Sequence, residues 1–302
     1  PEALPPLTVD EPTVSMDFQV NTSPFAGREG RFLTSRQIRE RLDRELEHNV
    51  ALRVADTEDR DRFTVSGRGE LHLSVLIETM RREGYELAVS RPRVITREID
   101  GRRCEPFEQL MVDVEEAHQG SVMEKLGERG GELTAMQPDG RGRVRLDYVI
   151  PARGLIGFRT EFLTATSGSG LMHHVFDHWA PVRAGRIGAR INGALISNAQ
   201  GKALAYALFY LQERGTLFIG PGDEVYEGMV VGLHARGNDL VVNPLKAKQL
   251  TNVRAAGKDE NIELTPPLRL TLEQALELIG DDELVEVTPA GVRVRKALLK
   301  EH

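Results

Sequence analysis

The sequence has little of several features that would define a secreted or membrane protein. Its 302 residues include one cysteine, Cys104, so an intrachain disulfide is excluded and a cytoplasmic location is favoured. Its longest apolar run, from Ala203 to Leu211, is far shorter than the about 20 residues that a membrane helix needs, so no membrane partner is expected. Lysine and arginine number 39 against 46 aspartates and glutamates, which gives 39 − 46 = −7. This acidity disfavours a protein that coats nucleic acid over its whole surface, but it allows a local basic patch.

Complete nucleotide-binding motifs are also absent. Gly67-Arg68-Gly69 stands between a strand-like and a helical segment, but a dinucleotide fingerprint needs a third glycine where the chain has His72. Gly201-Lys202 precedes Ala203, whereas a phosphate-binding loop needs a hydroxyl residue there to hold magnesium. The glycines around Arg68 are therefore predicted to let a strand turn tightly into a helix.

Catalytic and metal-binding patterns are weak. The segment "MHHVFDH" contains His173, His174 and His178, which leaves a metal hydrolase open as one hypothesis. Its alternation predicts a strand, in which His174 and His178 share a face about 13 Å apart, unlike the paired histidines on the helix of zinc hydrolases. Partly exposed strand histidines are the favoured interpretation. No serine, histidine and acid arrangement stands out, so we predict no catalytic residue and no metal site.

A repeated order of elements dominates the first 180 residues. Residues 13–91 alternate as βαββαβ, with Ser35 as the expected N-cap of the first helix and Gly84 as the C-cap of the second. Residues 107–180 repeat this order and include a glycine-rich helix predicted over residues 154–170. Two such units predict two ferredoxin-like domains within an α+β fold.

The pattern changes after Pro181 and predicts a third, β-rich domain with helices. The expected elements are a strand over 185–198, a strongly apolar helix over 202–214, strands with glycine turns over 216–242, a long loop over 243–261, a helix from Thr271 to Gly280, and a final strand-turn-strand. We therefore predict four segments. These are residues 1–12 as a linker from a missing N-terminal part, and domains over 13–98, 99–182 and 183–302.

One basic loop differs from its acidic surroundings. Residues 236–258 carry five basic and one acidic side chain, which gives 5 − 1 = +4, whereas residues 259–286 carry nine acids and one arginine. A basic loop that also contains asparagine, glutamine and threonine suits phosphate and ribose contacts, although an ordinary solvated loop has the same composition. The loop has no aromatic residue, which favours contact with the RNA backbone over base stacking.

Several segments together resemble known translation factors. The first unit resembles domain III of elongation factor G in "GRGELHL" and "RREGYELAVSRPRVITRE". The second resembles domain V of that factor in "EPFEQLMVDVEEAHQGSVMEKLGERGGEL" and "YVIPARGLIGFRTEFLTATSGSG". No segment resembles the intervening domain IV. The third domain resembles the BipA, or TypA, family of bacterial translational GTPases in "RINGALISNAQGKALAYALFYLQERG", "VYEGMVVGLHARGNDLVVN" and "LRLTLEQALELIGDDELVEVTP".

This resemblance implies a function in ribosome biology. It implies that the GTP and magnesium sites lie in an N-terminal domain that this chain lacks, so the chain alone is not an enzyme. The implied partners are the 70S ribosome, the 50S subunit, 23S rRNA and the tRNA acceptor arm, and the implied role is large-subunit assembly under cold or stress. The alternative is a regulatory module of tandem ferredoxin-like domains that binds a small ligand, such as a nucleotide alarmone.

The resemblance also selects candidate RNA-binding residues. The family's contact loop maps onto Asn238 to Lys258, where the candidates are Lys246, Lys248, Thr251, Asn252, Arg254 and Lys258. Arg153 and Arg159, at the glycine-rich helix of the second unit, are expected to face rRNA of the GTPase-associated region.

Overall fold

The computed structural model describes residues 11–185, 187–188, 190–247 and 263–300. Within these ranges, no helix is both long and apolar enough to span a bilayer. The first unit contains, in chain order, β1 (Val14–Gln19), α1 (Ser35–Leu46), β2 (Arg53–Asp56), β3 (Arg62–Gly67), α2 (Glu70–Glu83) and β4 (Leu87–Ser90). Its strands lie in the order β4-β1-β3-β2 with antiparallel neighbours. This is the ferredoxin-like arrangement, so the predicted βαββαβ unit is confirmed.

The ends of the two helices follow local capping rules. The side chain of Thr34 accepts a hydrogen bond from the backbone N–H of Gln37, and the Gln37 side chain accepts one from the backbone N–H of Thr34. The prediction of Ser35 as the N-cap is therefore wrong by one residue, because Thr34 completes this capping box and Ser35 is already helical. Gly84 ends α2 with φ of 100°, which confirms the predicted C-cap.

The second unit repeats this topology with its own core. Strand β5 (Arg93–Val94) pairs with β1 of the first unit and leads into the second unit. The elements of the second unit are β6 (Arg97–Ile99), β7 (Arg102–Glu115), α3 (Gln119–Glu128), β8 (Glu132–Pro138), β9 (Arg143–Pro151), α4 (Phe158–Ala165) and β10 (Leu171–Pro181). The strand order is β10-β7-β9-β8, the same as in the first unit. Side chains from α3 and α4, including Leu126 and Phe162, are buried against the sheet. The second ferredoxin-like fold is also confirmed.

The glycine-rich segment of this unit is less helical than its sequence predicts. A helix over 154–170 is wrong in extent, since a 3-10 turn covers Ala152–Gly154 and α4 runs only from Phe158 to Ala165. Gly157 separates them with φ of 71°, a left-handed conformation that an α-helix cannot contain. The break turns the N–H of Gly157 towards the first unit, where it donates to Glu70.

The third unit is rich in short strands. It contains β11 (Ala194–Ser197), β12 (Gly201–Lys202), α5 (Ala205–Leu211), β13 (Gly215–Leu217), β14 (Glu224–Val225), β15 (Met229–His234), β16 (Leu240–Val242), α6 (Leu272–Leu278), β17 (Glu283–Thr288) and β18 (Gly291–Lys296). The predicted strand over 185–198 is present only as β11 among the described residues, because Gly185 and Gly188 have positive φ. The predicted helix over 202–214 is shortened to α5, because Lys202 pairs with Glu224 in a strand.

A continuous sheet joins the first and third units. Strand β17 pairs with β4, with Leu284 opposite Ser90 and Val287 opposite Leu87. The strand order is therefore β16-β11-β15-β18-β17-β4-β1-β3-β2. One face of this sheet carries a core shared by α1, α2 and α6, and within the third unit a second core that includes Leu208 of α5 lies on the opposite face. The two units consequently form one body.

Buried charges strengthen this joint. Glu286 of β17 is fully buried. Its carboxylate accepts hydrogen bonds from the Tyr226 hydroxyl at 2.6 Å and from the Arg293 guanidinium at 3.0 Å. Arg293 also donates to Glu29, which belongs to the first unit, at 3.1 Å. Burial lowers the pKa of Arg293, but its bonds to Glu29 and Glu286 raise the pKa overall, so the guanidinium stays charged. A charged side chain of the third unit thus connects two acids of different units.

Candidate nucleic-acid interface

The predicted RNA-binding loop begins on a surface built around α5. After β16, the carbonyl of Pro244 accepts a hydrogen bond from the backbone N–H of Leu204, at 2.9 Å. Leu245 packs against the buried core of the third unit, close to Gly201. Lys246 follows and is exposed. The chain that leads into the loop is therefore held beside the start of α5, with Lys246 directed away from the core.

The chain that follows the loop is held at the other end of α5. Gln212 donates its side-chain N–H to the carbonyl of Glu263 at 3.0 Å and accepts from the backbone N–H of Thr265 at 3.0 Å. Leu264 contacts the same buried core. Residues 244–246 and 263–265 thus lie at opposite ends of α5, so both flanks of the loop are held at this helix.

The outer face of α5 is not buried, although the sequence reads as an apolar segment suited to a core. The inner face buries Ala207 and Leu208, while Tyr210 is 51% exposed. The ring of Tyr210 lies 5.1 Å from that of Tyr206 and 5.3 Å from that of Phe209, both in edge-to-face geometry. Sequence analysis missed this cluster, although the spacing of positions 206, 209 and 210 places them on one helix face.

Of the six loop candidates, the structure describes one. Lys246 is exposed at the root of the loop. The other five candidates lie outside the described residues, and these are Lys248, Thr251, Asn252, Arg254 and Lys258. Their contact with RNA stays a prediction.

Arg153 has several partners within the chain. Its Nε lies 2.7 Å from Oε2 of Glu105 without the alignment of a hydrogen bond, so this contact is an ion pair. The same guanidinium donates to the carbonyls of Arg183 and Gly185, and Glu105 is only 1% exposed. Arg153 thereby ties the 3-10 turn to the segment that leads into the third unit. An additional contact with rRNA is untested and stays a prediction.

Arg159 lies on α4 at a cleft where all three units meet. Its side chain is exposed, and the lining of the cleft includes Glu70 of the first unit, His174 of the second, and Glu273 and Glu277 of the third. The structure does not bring Arg159 or Arg153 onto the α5 surface. The three candidates that the structure describes, Lys246, Arg153 and Arg159, therefore do not form one site.

Glu70 is the most strongly perturbed acid of this cleft. Its Oε2 accepts from the backbone N–H of Gly157 at 3.1 Å, and its Oε1 is buried without a hydrogen-bond partner among the described residues. Burial raises the pKa of Glu70 to about 7, and the nearby charge of Glu277 adds to this against the effect of Gly157. Sequence analysis missed Glu70, because the contact forms between units and no local motif marks it.

The histidine segment forms internal contacts. His174 places its Nδ1 2.5 Å from Glu108, and His178 stacks on Phe107 at 5.3 Å. The prediction that His174 and His178 share a face is wrong, because a bulge between Phe176 and His178 shifts the register. His174 contacts Glu108 and His178 contacts Phe107, and these adjacent residues of β7 point to opposite faces of the sheet. Across the described ranges, no group of three or more side chains has a metal-binding arrangement.

The Gly67-Arg68-Gly69 turn is packed tightly against α2. A Cβ atom on Gly67 would lie 2.8 Å from the ring of His72 and 3.0 Å from Leu73. His72 in turn lies 2.8 Å from the side chain of Asn49. Gly67 therefore permits the close approach of a strand to the following helix, as the sequence predicts.

Comparison with known proteins identifies two matching families of domains. Residues 192–301 match the TypA/BipA C-terminal domain, and residues 102–187 match the elongation factor G C-terminus. The chain is 68% identical over 301 residues to the large ribosomal subunit assembly factor BipA of Escherichia coli strain K12. The chain is thus similar to BipA over its whole length and contains a segment that matches the BipA C-terminal domain. The predicted resemblance is thereby confirmed.

Other BipA proteins match to a similar extent. Those of Haemophilus influenzae and Buchnera aphidicola, with the same printed name, are 66% and 58% identical over 301 residues. Each match covers 100% of this chain and about half of the relative, namely 50%, 49% and 50% for the three. Residues 192–301, which match the BipA C-terminal domain, include α5 and Lys246, whereas Arg153 and Arg159 lie in the elongation factor G match.

Proposed function

We propose that this chain is the ribosome-binding, C-terminal portion of a cytoplasmic translational GTPase that assists assembly of the large ribosomal subunit, notably under cold or stress. The support is its high identity, over its whole length, to proteins named large ribosomal subunit assembly factor. The proposed partners are the 50S subunit and the 70S ribosome. The proposed contacts are with 23S rRNA and with the tRNA acceptor arm.

The observation that carries this proposal is the attachment of both flanks of the basic segment to α5. Residues 236–258 have a net charge of +4 in a chain whose overall charge is −7. Lys246 is exposed where this segment leaves the α5 surface, and both flanks of the loop are hydrogen-bonded to that surface. A local group of cations on a fixed base can bind phosphates while the acidic remainder is repelled by them. We assign the loop candidates to this contact and keep Arg159 as a weaker, separate one.

The proposal places GTP chemistry outside this chain. Neither glycine motif of the sequence has the residues that hold a nucleotide and magnesium, and the chain spans about half the length of the curated relatives that it matches. We therefore propose that GTP and magnesium bind in the remaining half of the protein. On this account, the chain described here anchors the protein and does not catalyse a reaction by itself.

Co-sedimentation with 50S subunits and 70S ribosomes tests the anchor. Wild-type chain is compared with Lys246→Glu/Lys248→Glu over a series of salt concentrations. The expected result is pelleting that weakens with salt and weakens further in the variant. A matched control, Arg60→Glu/Arg141→Glu, makes the same change in charge at exposed positions of the other two units and is expected to pellet like wild type. Equal pelleting of the loop variant and wild type would move the anchor away from α5.

The small-ligand alternative has one observation in its favour. The cleft between the three units has a cavity of about 70 Å³, and Oε1 of Glu70 is buried there without a hydrogen-bond partner among the described residues. However, the lining includes Glu70, Glu108, Glu273 and Glu277 against Arg159 and His174. Such an acidic cleft disfavours a phosphate-bearing ligand. Calorimetry with a panel of nucleotides is therefore expected to give no binding heat, and binding heat that Glu70→Gln alters would support the alternative.

A further inference from the structure

The outer face of α5 combines aromatic rings with nearby cations. Tyr206, Phe209 and Tyr210 form a continuous aromatic cluster, in which Tyr210 lies between the other two rings. Tyr210 is 51% exposed, whereas Tyr206 and Phe209 are partly buried. The cluster therefore presents flat apolar surface to solvent mainly through Tyr210, with the other two rings beside it.

The positive charge is concentrated at the N-terminal end of this face. Lys202 is exposed one turn before Tyr206, and the hydrogen bond between Leu204 and Pro244 places Lys246 close to the same end. Two acids, Asp223 and Glu224, also lie at this end, but they are paired with Arg269 and Arg28 at 2.8 and 2.9 Å. Glu213, Arg214 and Glu263 follow the C-terminal end of α5. A ligand that lies along the helix would therefore place its charged groups at the lysines and its apolar, planar groups on the rings.

We propose that the outer face of α5 is a stacking surface for unpaired bases of RNA. The surface consists of Tyr206, Phe209 and Tyr210, and its phosphate contacts come from Lys202 and Lys246. This inference rests on the proposed function and deepens it, because it names unpaired nucleotides as the RNA element that the third unit binds. It also supplies the aromatic component that the basic loop itself lacks.

Charge and shape together favour single-stranded RNA over a protein or a duplex. The flanking lysines match a phosphate backbone, and every base has a flat face that can stack on a tyrosine or phenylalanine ring. In an RNA duplex the bases already stack on each other and are not available to side chains. A duplex can therefore place phosphates at the lysines but cannot stack its bases on the rings. Loss of the rings should weaken binding of a single strand and not of a duplex.

The test measures binding of two RNA probes by fluorescence anisotropy. One probe is a fluorescein-labelled single-stranded oligoadenylate, and the other is a blunt RNA duplex with the same number of phosphates. The variant Tyr206→Leu/Tyr210→Leu keeps apolar volume and helix propensity but removes two rings. It is expected to bind the single strand about tenfold more weakly and the duplex as wild type does. The ring-conserving control, Tyr206→Phe/Tyr210→Phe, is expected to bind both probes like wild type.

A second measurement follows stacking directly. The chain has one tryptophan, Trp179, so Tyr210→Trp in a Trp179→Phe background places a single fluorophore on the α5 face. Its emission is expected to be quenched by the single-stranded probe and not by the duplex. Binding of the single strand without quenching would contradict stacking, even if the leucine variant failed to fold.

The outcomes separate this inference from the proposed function. Suppose that Lys246→Glu weakens binding of both probes while the leucine variant binds the single strand like wild type. The proposal of a stacking surface is then overturned, and the proposed basic anchor stands. If the leucine variant weakens both probes equally, the rings do not select unpaired bases and the inference is again overturned. If wild-type chain binds neither RNA probe nor ribosomes, both the inference and the proposed function are overturned.

Discussion

The two ferredoxin-like units share a strand order but differ at one edge of the sheet. In the first unit, β4 is continued by β17, so the sheet runs on into the third unit. In the second unit, β10 occupies the equivalent position, and no further strand of the described chain pairs with it. Leu171 and Val175 of β10 are 67% and 44% exposed. The same topology therefore extends its sheet into another domain in the first unit and ends at its own edge strand in the second.

The second unit has a buried core of its own, and hydrogen bonds connect it to the other two units. Glu70 of the first unit accepts from Gly157, and Glu277 of the third unit is hydrogen-bonded to Thr160. By contrast, the first and third units share buried apolar side chains as well as a sheet. We therefore expect the first and third units to unfold together and the second unit to unfold separately.

The largest effect is expected from removing apolar volume at the shared sheet. Leu87 of β4 is fully buried opposite Val287, so Leu87→Ala should lower the free energy of unfolding of the first and third units together by about 4 kcal/mol. Leu171→Ala, the same change on the exposed edge of the second unit, should cost less than about 0.5 kcal/mol. Urea unfolding followed by circular dichroism measures both. Separate transitions for the first and third units in Leu87→Ala would contradict a shared body.

A somewhat smaller effect is expected from the buried charge network. Arg293→Met leaves Glu286 buried without one of its cationic partners and removes the link to Glu29, so we expect a loss of about 3 kcal/mol in the same unfolding transition. Arg143→Met, which breaks an ion pair with Asp113 on the second unit that is about one-third exposed, should cost less than about 1 kcal/mol. Equal costs for the two variants would remove the contrast between the buried joint and the second unit.

The attachment of the second unit is expected to depend on pH through Glu70. Its pKa rises from 4.5 in the unfolded chain to about 7 in the fold, so between these values the folded protein holds more protons and stability falls as pH rises. Glu70→Gln removes this titration while retaining an oxygen for Gly157. The variant should therefore be more stable than wild type at pH 8, by at most about 3 kcal/mol, and the difference should shrink towards pH 5. A difference that does not change with pH would contradict this account.

The smallest effect is expected from helix capping. Thr34→Ala on α1 and Thr271→Ala on α6 each remove a capping box, so each should cost about 1 kcal/mol. Because α1 and α6 belong to different units that share one core, both changes should lower the same unfolding transition. Thermal unfolding that places the two losses in different transitions would contradict the shared core.

Local sequence patterns were sufficient to predict most elements of the two ferredoxin-like units. The helices α1 and α2 have the apolar spacing of amphipathic helices, and Gly84 marks an end that only a residue tolerant of positive φ favours. The pairing of β4 with β17 could not be predicted, since about 190 residues separate the two strands and neither carries a signal for its partner. The fold class could therefore be predicted from local sequence patterns, whereas the shared sheet of the first and third units could not.

The candidate site was only partly predictable for a related reason. The charge contrast of residues 236–258 is visible in the sequence, and the structure places its first candidate, Lys246, on an exposed surface. The exposure of Tyr210 depends on which face of α5 meets the core, and an apolar segment does not reveal this by composition. Similarly, Arg153 reads as a free cation in sequence but contacts Glu105 only after β7 and the 3-10 turn have been brought together.

Directed hydroxyl-radical probing would test the central claim, that the α5 side of the third unit faces rRNA. Cys104 is buried, so a new cysteine at an exposed site can carry a tethered iron chelate selectively. Lys246→Cys, Arg159→Cys and Arg60→Cys would report on the third, second and first units. Bound to 50S subunits, the chelate at position 246 is expected to cleave 23S rRNA at a localised site, while position 60 gives little cleavage. Cleavage from position 60 or 159 without any from position 246 would contradict the account.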